Sequence, residues 1–411
     1  ELITENDRII FLDPEGDNLT NNSGSELIDE IQDKIDGEIG SSNYDIGHVF
    51  STGGGGVAAL RTPCTNSKAK GVTGLPAPIG DPFYIDYVSH EMGHQFGATH
   101  SYNTEDPDCS DEKNNSTSVE PGSGSTIMSY AGLCPPDNVQ SNSDAYFHIV
   151  SIRQIMDNVL NGNSTCATTT DTGNNPPEIT ALENYTIPVS TPFFLDAQAN
   201  DIDGDNLTYT WEQLDTELAE YPLVSTNLMG PAFRSVSPSS SSKRFFPELN
   251  TVLAGGLLNA WEVLPSVGRT MKFAVTVRDN NELVGQTASE ETVITFDENS
   301  GPFKITSHSE AQTWDSGTVQ TVEWDVAMTN EAPINCSFVD ILLSTDGGQT
   351  FDIVLASNVD NDGSHNIVVP NATVAAARIM VVASNNIFFA VNSIDIAIQS
   401  SEFVMDFTSN M

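Results

Sequence analysis

The run His90 to His100, H-E-M-G-H-Q-F-G-A-T-H, constrains this chain more than any other stretch of its length. His90 and His94 are four residues apart, so an α-helix stacks them on one face, about 5–6 Å between Cβ atoms, where both can grip one ion. Glu91 lies about 100° round that helix from His90 and reaches a metal-bound water rather than the metal. Gly97 is the expected helix stop, because left-handed backbone costs least at glycine, and the reversed chain then carries His100 back to a third coordination position. Three protein ligands leave a fourth position open, which separates a catalytic zinc site from a structural one.

The residues around the run agree on a helix. A wheel of about 100° per residue puts Ile85, Val88, Met92 and Phe96 on one side and His90 and His94 on the other, predicting a core face and a site face. Upstream, Arg8 to Leu12 reads as a strand, Glu26 to Ile35 as an amphipathic helix and Asp45 to Phe50 as a second strand. The glycine run Gly53 to Gly56 leads into Val57-Ala58-Ala59-Leu60. Glycines beside a strand admit another backbone, so Gly55, Gly56, Val57 and Ala58 are the expected edge for an extended peptide, with a flexible bulged loop as the alternative. Ala145 to Leu160 reads as the closing helix, with Ile149, Ile152, Ile155, Met156 and Val159 at helical spacing. His48 and His148 are read as structural.

At 411 residues the chain is too long for one ordinary core. Its 57 acidic against 15 basic residues give a net charge of -42, which repels phosphate backbones and anionic lipids. No nucleic-acid or membrane partner is expected. No apolar run reaches 18 residues, and Glu1 is not followed by a signal-like segment. Cys64, Cys109, Cys134 and Cys166 form no C-x-x-C pair, so disulfides in an oxidising, extracellular compartment are expected rather than a zinc finger. Of the three possible pairings the favoured one is Cys109 with Cys134, closing the loop after the third histidine, and Cys64 with Cys166, tying the strand side to the last helix. Each is worth about 2–4 kcal/mol. Cys336 is expected as a buried free thiol.

Thr168 to Pro177 has the composition of a linker, and the chain then turns all-β. Alternating runs at Leu207–Trp211, Met271–Val277 and Thr292–Phe296 predict one sandwich. Val319–Trp324, Val339–Leu343, Ile367–Val369 and Arg378–Val382 predict another. Asp201, Asp203 and Asp205 place three carboxylates at alternate positions of a turn, a candidate calcium cage that is not an EF-hand, since its glycine stands fourth rather than sixth. A plain acidic turn is the competing reading. Ser344 to Phe351, S-T-D-G-G-Q-T-F, matches an Asp-box pattern, a hairpin turn held by side-chain to backbone hydrogen bonds.

From Asn43, N-Y-D-I-G-H-V-F-S-T-G-G-G-G-V-A-A-L, then the histidine run, then S-T-I-M-S-Y at Ser125 to Tyr130, the chain resembles bacterial reprolysin-like metallopeptidases, relatives of the adamalysins within the metzincin clan. The resemblance implies zinc-dependent cleavage of internal peptide bonds in protein or peptide substrates. It makes His90, His94 and His100 the zinc ligands, Glu91 the general base and acid, and Met128 the Met-turn residue beneath the histidines. Tyr130 resembles the tyrosine that in the astacin and serralysin branches is a weak extra ligand or a donor to the tetrahedral intermediate; a packed aromatic is the alternative. Asp45 falls where adamalysins have an aspartate that helps bind a structural calcium. Two features depart from the pattern: Ser101 follows the third histidine, where adamalysins have Asp, and Glu1 aligns within the family's second strand.

The expected architecture is therefore multidomain. An α+β metzincin-type zinc peptidase domain over 1–166 and a linker over 167–177 precede two all-β sandwiches of immunoglobulin or fibronectin type, over 178–300 and 301–411. A monomer, secreted by a Gram-negative marine bacterium and using zinc and calcium, is the matching picture. The rival is a secreted adhesin or carbohydrate- or matrix-binding protein whose peptidase domain is vestigial.

Overall fold

The computed structural model describes residues 2–13, 16–53 and 55–400. Helix α1, Gly24–Glu38, buries Leu27, Ile31 and Ile35, the row of apolar residues that a helical period puts on one face. That face packs with Tyr44 and Ala69 against a three-stranded sheet of β1 (Val49–Ser51), β2 (Gly55–Ala58) and β3 (Gly71–Gly74). The order is β1-β3-β2, with β1 parallel and β2 antiparallel to β3. β2 is thus the edge strand nearest the histidine run.

Past β3 the chain makes a short helical turn at Asp81–Phe83 and a π-helical turn over Tyr84–Ser89, then continues as α2, His90–Phe96. Gly97, at φ 107°, ends α2 with its N–H on the carbonyls of Gly93 and His94. The short strands β4 (Tyr102–Asn103) and β5 (Glu120–Pro121) pair in parallel behind the site. Helix α3, Ile149–Asn161, closes the domain; its buried Asn158 donates to the Phe96 carbonyl at 2.9 Å and so caps α2 from outside. Disulfides join Cys64 to Cys166 and Cys109 to Cys134, and Cys336 is free and buried.

Several elements differ from the sequence expectation. Arg8 to Leu12 is not a strand: Asn6–Ile9 is a 3-10 turn, and Ile10 and Leu12 are exposed. Local bonds from Arg8 N–H to the Glu5 carbonyl and Ile10 N–H to the Asp7 carbonyl close the turn. Of Asp45 to Phe50 only the last two residues enter a strand, because Asp45 and Gly47 are engaged by the Cys64 and Lys68 backbones. Met156, expected in the inward row of α3, is exposed. The expected core face of α2 is only half-buried at Ile85, Val88, Met92 and Phe96, whereas His90, Glu91, Gly93 and Gln95 are buried. The site face is the covered one because β2, β3 and the Met128 loop all close over it.

The β region begins with a four-stranded sheet ordered Thr208–Gln213, Arg269–Arg278, Thr287–Asp297, Tyr185–Pro188. A two-stranded ribbon of Phe193–Asp196 and Lys243–Phe246 accompanies it. Beyond residue 300, a three-stranded sheet and a six-stranded sheet carry the remaining strands, among them Val319–Asp325, Phe338–Ser344 and Val374–Ala383. The expected division at 300/301 cuts no gap in the packing: one apolar cluster runs from Ile187 through Phe193, Phe246 and Phe303 to Phe388 and Ile398. The Asp-box turn forms as expected. Asp346 accepts from the Thr350 N–H at 3.0 Å, and the Ser344 hydroxyl accepts from Gly348 N–H at 2.8 Å; hydrogen bonds from Ser344 and Thr350 hold the Asp346 carboxyl down at about 2.

Candidate metal centre

His90 and His94 project from successive turns of α2, and His100 returns after the Gly97 reversal. Their Nε2 atoms converge: His100 Nε2 lies 3.2 Å from that of His90 and 3.1 Å from that of His94. Each Nδ1 faces a backbone carbonyl, that of Ile127 at 2.7 Å, Ala98 at 2.8 Å and Glu112 at 2.6 Å. With Nδ1–H donated outward, every Nε2 keeps its lone pair turned inward. Burial lowers the pKa of all three rings, and their neighbouring imidazoles lower those of His90 and His94 further, so the neutral ligand form is favoured. Three lone pairs facing one another at this distance repel unless a cation sits among them. A tetrahedral ion with nitrogens at about 2.0–2.1 Å sets an edge of about 3.3–3.4 Å, close to the separations seen. Among the described residues these three histidines are the one group that converges to metal-binding size.

Glu91 is buried against the same cleft. Its Oε2 has no hydrogen-bond partner, and burial pushes its carboxyl up to about 8. Gly56 of β2 packs so closely on this carboxylate that a Cβ there would stand 2.1 Å from Oε1. The glycine therefore makes room for the carboxylate as well as lining the cleft. Met128 is fully buried beneath α2, and a Cβ on Gly93 would meet its sulfur at 2.4 Å. That contact explains the glycine between the two helical histidines.

Tyr130 packs its ring 4.4 Å from that of His100 and 4.8 Å from that of Tyr102. Burial, then the charges of Glu112 and Glu91, push its hydroxyl well above the usual phenol range, so it remains a proton donor. Gly56, Val57, Ala58, the three histidines, Glu91 and Tyr130 all line one cleft of ≈ 450 Å³.

Glu120 carries no mark in the sequence. It is buried in β5, and its carboxylate accepts from the Ser101 hydroxyl at 2.6 Å, the Ser125 N–H at 2.8 Å and the Thr126 N–H at 3.1 Å. Ser101 N–H in turn donates to the Met128 carbonyl. One carboxylate thus ties the residue after the third histidine to the turn that carries Met128 and that accepts from His90 through Ile127. No spacing motif announces it, because Ser101 comes from the segment after the third histidine while Ser125 and Thr126 come from the turn after β5. Disulfide Cys109–Cys134 fastens the same region, placing Glu112, the partner of His100, beside the chain that follows Tyr130.

His48 and His148 are structural, as expected. His48 bridges Gln95 and Thr73 at 2.8 Å each, and the His148 side chain accepts from Val150 N–H at the start of α3.

The candidate calcium residues do not gather. Asp203 accepts from Asn175, Asp205 from Asn281, and Asp201 Oδ1 from the N–H groups of Asp203 and Asp205. Only Asp201 Oδ2 is buried with no donor. Asp45 lies with its carboxylate 3.5 Å from the Cys166 sulfur, and no metal-sized group forms around it among the described residues.

No curated protein matches the chain. Solved structures with some likeness include the tandem Ig repeats of Dlar, at 12% identity over 55% of this chain and 98% of that one, with a TM-score of 0.30. The N-terminal Ig1-2 module of the Drosophila receptor protein tyrosine phosphatase DLAR matches at 10% identity over 55% and 100%, with a TM-score of 0.28. A chimeric titin Z1Z2 matches at 9% over 55% and 98%, with a TM-score of 0.20. The β architecture accordingly rests on the strand pairing described above. Residues 1–159 match the family model of reprolysin-like M12B metallopeptidases. The three histidines, Glu91 and the Met128 turn lie inside that span, and this part of the chain is similar to a reprolysin-like metallopeptidase domain.

Proposed function

We propose that the chain is a secreted zinc-dependent endopeptidase. The observation that carries the reading is the histidine arrangement, three Nε2 lone pairs turned inward by three carbonyl-bound Nδ1 atoms, beside a buried carboxylate in an open cleft. Zinc bound there supplies Lewis-acid activation of a water and of the scissile carbonyl. His90, His94 and His100 hold the ion, and the carbonyls of Ile127, Ala98 and Glu112 fix their orientation. An extended peptide adds to the free edge of β2, where Gly55 to Ala58 offer main-chain groups. Glu91 takes the proton of the attacking water and returns it to the leaving amine. Tyr130 donates a hydrogen bond from its hydroxyl to the developing oxyanion. Met128 and Glu120 keep the histidine cluster rigid from below.

The two disulfides support an oxidising compartment, and no helix among the described residues is long and apolar enough to cross a membrane. Calcium enters the reading at Asp201, whose buried Oδ2 lacks a partner that a cation would provide.

Glu91→Gln keeps the shape and removes the proton shuttle. It should retain zinc at one per chain and lose about 10²–10⁴-fold in casein cleavage. Elemental analysis beside a turnover assay, with a chelator arm, checks both. Retention of more than about a tenth of the activity removes Glu91 from the role, and casein cleavage that survives chelation removes zinc.

A further inference from the structure

The cleft beside the histidines has an apolar wall and, apart from Glu91 and Glu112 next to the histidines themselves, one carboxylate, that of Asp86. Leu75, Pro82, Tyr87 and Leu133 line it together with Asp86 and Ser143. Asp86 stands four residues before His90, in the π-helical turn Tyr84–Ser89 that leads into α2. It is half-buried, and the Ser143 N–H donates to its Oδ1 at 2.7 Å, which holds the carboxylate against the wall. Among the described residues no Lys or Arg lines the cleft. Burial raises the Asp86 carboxyl, with the nearby charge of Asp81 adding to the same effect, so the site bears the cost of a carboxylate without a cation to offset it.

A substrate side chain that offsets this cost needs an apolar stem for the wall and a cationic head for the carboxylate. Lysine and arginine have that build, with three or four methylenes and a terminal charge. A glutamate repeats the charge of Asp86, and a leucine leaves it without a cation. We propose that Asp86 is a specificity-determining residue and that the cleft selects peptides carrying Arg or Lys at one position beside the scissile bond. The inference rests on the peptidase reading above.

The test uses the full chain and matched fluorescence-quenched peptides with Arg, Lys, Leu or Glu placed in turn at each position flanking the cleaved bond. At one position the wild type should cleave the Arg and Lys peptides with kcat/KM about tenfold above the Leu peptide. The readout is the Arg-to-Leu ratio within each variant, so a variant of reduced overall activity still reports. Asp86→Glu should keep the ratio above one, Asp86→Asn should bring it to about one, and Asp86→Lys should turn the preference towards Glu. A wild type showing no basic preference at any position overturns the inference without using any variant, as does a preference that persists in Asp86→Asn. Both outcomes leave the peptidase reading standing. If zinc-loaded wild type cleaves none of the peptides and no casein, both fall together.

Discussion

The chain has two internal junctions built on opposite principles. Where the peptidase domain meets the first β sheet, the contact is polar and saturated with hydrogen bonds. The Asn103 side chain donates to the Glu217 carbonyl at 3.0 Å and accepts from Ala219 N–H at 3.0 Å and the Tyr221 hydroxyl at 3.1 Å. Glu212, fully buried, accepts from Ile149 N–H at 2.8 Å and from the Ser235 hydroxyl at 2.8 Å, while Tyr146 donates to that same serine at 2.7 Å. Where the first β region meets the second, the contact is a shared apolar core. Phe245 and Phe389 meet edge to face at 5.3 Å, and backbone bonds from Phe194 N–H to the Ile387 carbonyl and Phe389 N–H to the Pro192 carbonyl fasten the sheets. An apolar junction contributes stability by burial and tolerates some sliding; a polar one fixes position, because each buried donor must meet one acceptor. The positional junction is the one that abuts the histidine cluster, touching α3, the strand after the third histidine and the loop before Met128.

The largest effect should come from opening the apolar junction. Phe388→Ala removes a fully buried ring and should destabilise the β region by about 3–5 kcal/mol, read by chemical denaturation followed through tryptophan fluorescence. Zinc content and peptide cleavage well below the melting temperature should change little. A comparable loss of turnover would mean that the two junctions are not separable.

At the polar junction the expectation reverses. Glu212→Ala leaves the Ile149 N–H and the Ser235 hydroxyl without their acceptor, at a cost of about 1–3 kcal/mol. Because α3 and the loop around Tyr146 carry the Met128 turn, kcat should fall several-fold while KM stays near its wild-type value. If kinetics are unchanged at a measured loss of stability, the β sheet is a passenger of the peptidase domain.

What could be read from the sequence follows the same division. The histidines were legible because four residues of helix and one glycine turn fix their relation locally, and the strands of the β regions because alternation marks two faces. Alternation does not say which partner a face meets, so the joining of the two β regions around Phe193 and Phe388 was not visible. Glu120 and Glu212 are illegible for a related reason: a buried carboxylate looks in sequence like any of the chain's many acids until folding brings its donors round it, from Ser101 and the turn after β5 for Glu120 and from Ile149 and Ser235 for Glu212. Arg8 to Leu12 shows the converse failure. It has strand composition, but no neighbouring edge is paired with it.

The smallest effect is expected at the turn Asp201 to Asp205, which lies where the linker meets the first β sheet. Asn175 binds Asp203 there, and Asn174 donates to Asp279 at 2.6 Å. Asp201 Oδ2 is the one buried side-chain oxygen of the turn that these ties leave without a donor. If calcium fills that place, the full chain should gain about 1.4 kcal/mol at calcium ten times its Kd, and the melting temperature should climb further with concentration. Asp203→Asn should weaken the response while the zinc content stays at one per chain, since the turn shares no ligand with the histidine cluster. Identical melting in calcium and in a calcium-selective chelator would make the turn an ordinary tie for the linker, and the polar junction would then hold the peptidase domain in place by hydrogen bonds alone.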